Sequence, residues 1–73
     1  MKNLLPATFD YSTRRKRRAA VNLIVGLLEN ITAAEETYRD NIPNNLLGSG
    51  LYDTAEEYIL QLDEATELLR SIY

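Results

Sequence analysis

Two stretches of this chain repeat apolar residues at alternating four- and three-residue steps, with a cluster of helix breakers between them. In the first stretch the stripe is Ala20, Ile24, Leu27, Ile31, Ala34, Tyr38 and Ile42. At about 100° per residue these positions stack on one face of a helix. Val21 and Leu28 lie beside the stripe, and Leu23 and Val25 extend its edges. The second stretch carries Leu51, Ala55, Tyr58, Leu62, Ala65, Leu69 and Ile72, broadened by Ile59. Leu60 falls on the opposite side of that helix and Leu68 near an edge.

The separating segment, residues 41–50, reads NIPNNLLGSG. Proline lacks the amide donor and restricts the residue before it, whereas glycine tolerates left-handed and turn conformations. The pattern therefore predicts an all-α chain: a lead-in over residues 1–12, helix 1 over about 13–41, a turn over about 42–49 and helix 2 over about 50–72. Asp10 or Ser12 is expected to cap helix 1. Helix 2 is expected to begin after Ser49, with Asp53 and Glu56 as an alternative capping box. Pro6 and the shortness of the lead-in argue against a long helix there. It is expected either to be a free tail or to fold back over the open end of the bundle.

The apolar arc of helix 1 is wider than one facing helix would cover. A wide arc implies two contacts, one with the other arm of the hairpin and one with a second chain. Length points the same way. In 73 residues a single core rarely supplies more than roughly 3–5 kcal/mol. Small domains obtain further stability from disulfides, metals or association. The chain has neither cysteine nor histidine, which excludes disulfides and the usual zinc sites. The expected architecture is an antiparallel two-helix hairpin that forms a homodimeric four-helix bundle. The residues expected to carry self-association are Ala20, Ile24, Leu27, Leu28, Ile31, Tyr38, Tyr58, Leu62 and Leu69. Alanines at 20, 34, 55 and 65 permit close helix approach. Gly26, off the main stripe, marks a close approach, a bend or a plain cost of about 1 kcal/mol relative to alanine.

Charge is segregated along the chain. Lys2, Arg14, Arg15, Lys16, Arg17 and Arg18 oppose only Asp10 in residues 1–28, whereas residues 29–73 carry Arg39 and Arg70 against ten acids. In an antiparallel hairpin the basic end of helix 1 is expected beside Asp63, Glu64 and Glu67, so the leading reading is that the two segments pair, within the chain or across a dimer. The alternative is a nucleic-acid contact through Arg14, Arg15, Lys16, Arg17 and Arg18. Five consecutive cations near the positive end of a helix dipole are locally unfavourable, and such a conflict can signal function. Against it stand a pI of about 4.8 and the absence of aromatic residues interleaved with the run.

Catalytic chemistry has little foothold: there is no histidine, no thiol and no glycine-rich phosphate loop. Glu35-Glu36 and Glu56-Glu57 are adjacent on helices and point in different directions rather than converging. No cofactor, metal or small-molecule ligand is expected. No apolar run approaches the ~20 residues of a membrane span and no signal-peptide core is evident, so a cytoplasmic location is the default expectation. Leu60, Leu68, Glu56, Glu57 and Glu64 are the candidate contacts for an unidentified protein partner.

Several words of the sequence carry a resemblance. After the basic entry to helix 1 come Glu35-Glu36-Thr37-Tyr38-Arg39-Asp40-Asn41-Ile42-Pro43, then Asn45-Leu46 and Gly48-Ser49, then Tyr52, Ala55-Glu56-Glu57 and Leu62-Asp63-Glu64-Ala65. Over about residues 14–73 the chain resembles a group of small uncharacterised helical-hairpin proteins of phages, prophages and Gram-positive bacteria. Those share a Lys/Arg-rich helix start, an Asn-(Ile/Met)-Pro turn with a Leu and a Ser, and an Ala-Glu-Glu second helix. Members often have Gln where this chain has Leu47. The resemblance implies a helical hairpin of mobile-element origin and transfers no site residues. The expected function is a small non-enzymatic protein–protein interaction module, as an accessory or host-modulating protein.

Overall fold

The computed structural model describes residues 10–73, and these form two long helices joined by a short 3-10 segment, with no strand among them. The expected lead-in falls mostly on residues 1–9, which lie outside the described residues. Helix α1 spans Arg14–Asp40 and helix α2 spans Leu51–Arg70; the 3-10 segment is Asn44–Ser49.

Thr13, rather than Asp10 or Ser12, caps α1. Its backbone is extended (φ −122°, ψ 158°) and its hydroxyl accepts from the Lys16 amide at 3.1 Å, which satisfies one of the orphan donors of the first turn. Asp10 instead accepts from the Ser12 amide at 2.8 Å and pairs with the Lys16 ammonium. Those bonds, Lys16 first and then Ser12, hold the Asp10 carboxyl below the usual carboxylate range. At the other end of α1 the Asn41 amide still bonds back to Thr37 and Tyr38. Ile42 then precedes Pro43, which disfavours the helical conformation before it and supplies no amide to continue the ladder. The chain reverses through the 3-10 segment, where Leu46 N–H donates to the Pro43 carbonyl at 2.8 Å.

Gly50 starts α2 with φ +92°, the only positive φ among the described residues, and no side chain caps that end. A Cβ at Gly50 would meet open space, so the requirement for glycine is one of backbone conformation. Gly26 lies inside α1 with nothing near its missing Cβ; it is neither a close approach nor a turn. The two glycines therefore predict opposite effects. Gly50→Ala should cost about 1–2 kcal/mol through left-handed strain, whereas Gly26→Ala should gain about 0.8–1 kcal/mol of helix propensity. Urea denaturation of both variants checks the signs.

The helices run antiparallel. Near the turn, Arg39 donates to Glu56 at 2.7 Å, and at the other end Arg70 donates to Glu29 at 2.6 Å. The residues that close the hairpin are Val25, Leu28 and Thr32 from α1, Ile42 just after it, and Ala55, Ile59, Leu62 and Thr66 from α2, all buried or half-buried. The two threonines are compatible with this interior because each hydroxyl donates to the carbonyl four residues earlier, Thr32 to Leu28 and Thr66 to Leu62, both at 2.8 Å. That leaves their methyl groups for packing. The core is thin. Its fully enclosed apolar members are Ala20, Val25, Ile42, Ala55 and Ile59, and no large side chain is completely buried among the described residues.

Candidate functional site

Two helices side by side make a single layer, so the hairpin has two flat sides, and the sequence makes them chemically unlike. One side is polar. Its groove is lined by Glu29, Thr32, Glu36, Asp63, Thr66, Glu67 and Arg70, and Arg70 bridges Glu29 and Glu67 across it.

The other side is apolar. Its groove is lined near the turn by Tyr38, Leu51, Ala55 and Tyr58 and continues along Leu62 and Ala65, with Glu35 as the carboxylate beside both parts. Positions four and seven residues before Tyr38 share its face of α1, so Ala34 and Ile31 extend this side, followed by Leu27 and Ile24. The large side chains on it are open to solvent: Ile31 53 %, Tyr38 49 % and Tyr58 51 % exposed. These are the stripe residues of the sequence pattern. On α1 that stripe lies roughly a quarter turn away from the line Val25, Leu28 and Thr32 that faces α2, at 3.6 residues per turn. The main apolar stripe of α1 therefore does not build the hairpin contact; it flanks it.

The expected association residues divide accordingly. Leu28, Leu62 and Leu69 are half-buried at or beside the helix–helix seam, Ile24 and Leu27 are half-buried, and Ile31, Tyr38 and Tyr58 stand open on the apolar side. Ala20 is already enclosed at 5 % exposure. Tyr38 and Tyr58 do share one groove at the turn end.

Candidate partner contacts map elsewhere. Glu57, Leu60, Glu64 and Leu68 follow one another at three- and four-residue steps and form the outward stripe of α2, with Leu60 59 % and Leu68 68 % exposed. Leu68 sits in a shallow depression with Asp63, Glu64 and Glu67. Glu56 is not free: it holds Arg39, whose guanidinium also donates to Asp40 at 2.9 Å. These two bonds, Asp40 first, raise the Arg39 pKa further above its already high value.

The basic run lies in a different place from the one that pairing within one chain required. Asp63 and Glu67 share a groove with Glu29, Thr32 and Glu36, the middle of α1, and not with its start. The reason is helix length: α1 has 27 residues and α2 has 20. Taking the Arg39–Glu56 and Glu29–Arg70 ties as the register, Tyr73 lies level with about residue 24, and residues 14–22 project about 14 Å beyond it at about 1.5 Å per residue. On this projection Lys16 holds Asp10 and Arg17 donates to the Tyr11 carbonyl. Arg14, Arg15 and Arg18 are exposed and have no side-chain partner among the described residues.

Among the described residues no group of three or more acidic, His or Cys side chains converges as a metal site, and no helix is long and apolar enough to cross a membrane. Sequence periodicity did not point to Thr32, Thr66 or Arg39 as seam residues; the available signal was the three- or four-residue spacing of Thr32 from Leu28, Arg39 from Ile42 and Thr66 from Leu62. No protein-family model matches the sequence, and no curated protein or solved structure matches it.

Proposed function

We propose that this chain is a non-enzymatic protein-interaction module that pairs through its apolar side into a four-helix bundle and offers the outward stripe of α2 to another protein. The observation that carries this reading is the asymmetry of the single layer. The polar side is bridged by Arg70, whereas the opposite side leaves Ile31, Tyr38 and Tyr58 about half exposed, the two tyrosines lining its groove. Contiguous exposed apolar surface of this kind marks interaction sites. A cytoplasmic setting and a mobile-element origin, as the sequence resemblance implies, are consistent with such a role, in which the module acts by occupying another protein's surface. Light scattering tests the reading: the expected solution mass is twice the 8.3 kDa of one chain at micromolar concentration. A monomer at all concentrations would remove the bundle.

A second reading has its own observation. Arg14, Arg15 and Arg18 project from the hairpin without side-chain partners among the described residues, as a nucleic-acid contact would require. It predicts an affinity for DNA or RNA that falls steeply with salt. Failure of the parent protein to bind either at low salt ends it.

A further inference from the structure

Residues 14–22 stand clear of α2, and the basic run lies wholly on that projection. At about 100° per residue, Arg14, Arg18 and Arg15 fall within one arc of about 100° at the start of α1. Lys16 lies on the far side of the helix and holds Asp10, and Arg17 donates to the Tyr11 carbonyl. The run therefore divides into two cations that fasten the entry segment and three arginines on one face. Those three are exposed and have no side-chain partner among the described residues. Residues 1–9 supply no carboxylate for them, because that segment contains neither Asp nor Glu.

The same geometry answers the objection raised by the negative charge of the whole chain. Residues 10–18 sum to +4, from five cations against Asp10. After Arg18 the next charged side chain along α1 is Glu29, about 16 Å further on at about 1.5 Å per residue. Glu67 and Glu64, the acids nearest this end of α2, lie level with about residue 30 of α1 or beyond in the register of the two ties. The Debye length at physiological ionic strength is about 8 Å, so the acidic body of the hairpin is largely screened from the projection. A ligand there meets a local surplus of positive charge.

The chemistry of the face selects the ligand. Guanidinium forks match phosphate with paired hydrogen bonds. Arg14 and Arg18, about 6 Å apart at their Cβ atoms, can address neighbouring phosphates of one strand. Binding on a membrane surface calls for large apolar residues beside the cations, and the apolar side chains of residues 14–22 are only Ala19, Ala20 and Val21. Single strands are held by stacking bases on aromatic rings, and none of residues 14–22 is aromatic. A duplex shields its bases and presents one negative charge per about 1.7 Å of axis. With arginines available on one arc only, the contact is to a row of phosphates rather than to both walls of a groove. Phosphate contacts position a protein without carrying sequence information.

We infer that Arg14, Arg15 and Arg18 form a contact for the phosphate backbone of double-stranded nucleic acid, made without reading its sequence, and that Lys16 and Arg17 take no part in it. The inference rests on the second reading above and adds the form of the ligand, the contacting residues and the mode; it does not depend on self-association. Fluorescence anisotropy of labelled duplexes titrated with the full chain tests it. Two DNA duplexes of unrelated sequence and an RNA duplex should bind within a few fold of one another, and a DNA single strand should bind more weakly. Log affinity for the DNA duplex should fall against log salt with a slope of about −2.7 for three contacts, or about −5.4 where both projections of a dimer reach one duplex. Arg14→Gln, Arg15→Gln and Arg18→Gln together should lower the low-salt affinity at least about tenfold and flatten that slope. Helix content should stay unchanged, because the projection lies outside the seam. Asp10→Asn combined with Lys16→Gln, which preserves the net charge, should leave the slope as it is.

The outcomes separate the two claims. Absence of binding to every nucleic acid at low salt overturns both, and capture by phosphatidylserine vesicles alone would then assign the run to a membrane surface. Tighter binding to the single strand, a strong preference for one duplex sequence, or a slope that the triple substitution leaves intact overturns the inference while the second reading stands. A slope that falls instead with the Asp10 and Lys16 pair moves the contact to the other side of the helix and likewise overturns it.

Discussion

Replacing Ile59 by alanine should leave the chain largely unfolded at low micromolar concentration. Ile59 is 7 % exposed in the middle of α2, level with about residues 36–40 of α1 in the register of the two ties, and it is one of the few large apolar side chains the hairpin encloses. Truncating a buried isoleucine costs about 2–5 kcal/mol, from lost transfer free energy and from the cavity left behind. A single small core supplies roughly 3–5 kcal/mol in all, so this one change removes most of the stability of one copy. The seam has little capacity to compensate. It includes the small Ala55 and two threonines whose hydroxyls are already committed to backbone carbonyls. Circular dichroism at 222 nm should show the loss of helix. Raising the protein concentration should recover part of it, because association stabilises the folded form by mass action. Concentration-independent, fully helical spectra from Ile59→Ala would mean that the seam is not where the stability lies.

The hairpin itself is legible in the sequence because its signals agree: two apolar repeats, the Ile42-Pro43 stop and a glycine at the left-handed position. What the repeats do not reveal is the line along which the helices meet. An apolar stripe reports the direction of all burial a helix is built for. Here that direction combines the neighbouring helix with the open side, so the stripe through Ile24, Leu27, Ile31 and Tyr38 points between them. The true seam is lined partly by Thr32, Thr66 and Arg39, which read as polar yet reach it. The threonines satisfy their own hydroxyls within the helix, and the Arg39 stem packs while its guanidinium holds Asp40 and Glu56. The fate of the basic run is a matter of register. Antiparallel direction alone puts Arg14–Arg18 beside the far end of α2. The unequal helix lengths and the Glu29–Arg70 tie carry the run past that end and leave Asp63 and Glu67 against the middle of α1.

That displaced stripe makes Ile31 the position at which a single charge should do most damage to association while sparing the hairpin. Ile31→Asp should raise the dissociation constant of the dimer by about a thousandfold. Its side chain is 53 % exposed in one copy, so completing its burial is worth about 1 kcal/mol in each of two copies. Forcing two carboxylates into an apolar contact costs on the order of 2 kcal/mol more, and a total of about 4 kcal/mol corresponds to a factor of about 10³. The same substitution should barely change the helix content of a dilute, monomeric sample, because Ile31 is not part of the seam. Leu60→Asp provides the contrast: Leu60 is similarly exposed, at 59 %, but lies on the other side of α2, away from the apolar groove, and its replacement should leave the dimer intact. Sedimentation equilibrium on the two variants decides between a specific apolar interface and general surface stickiness. Equal weakening by both would show that exposure alone, rather than the side of the layer, drives the chains together.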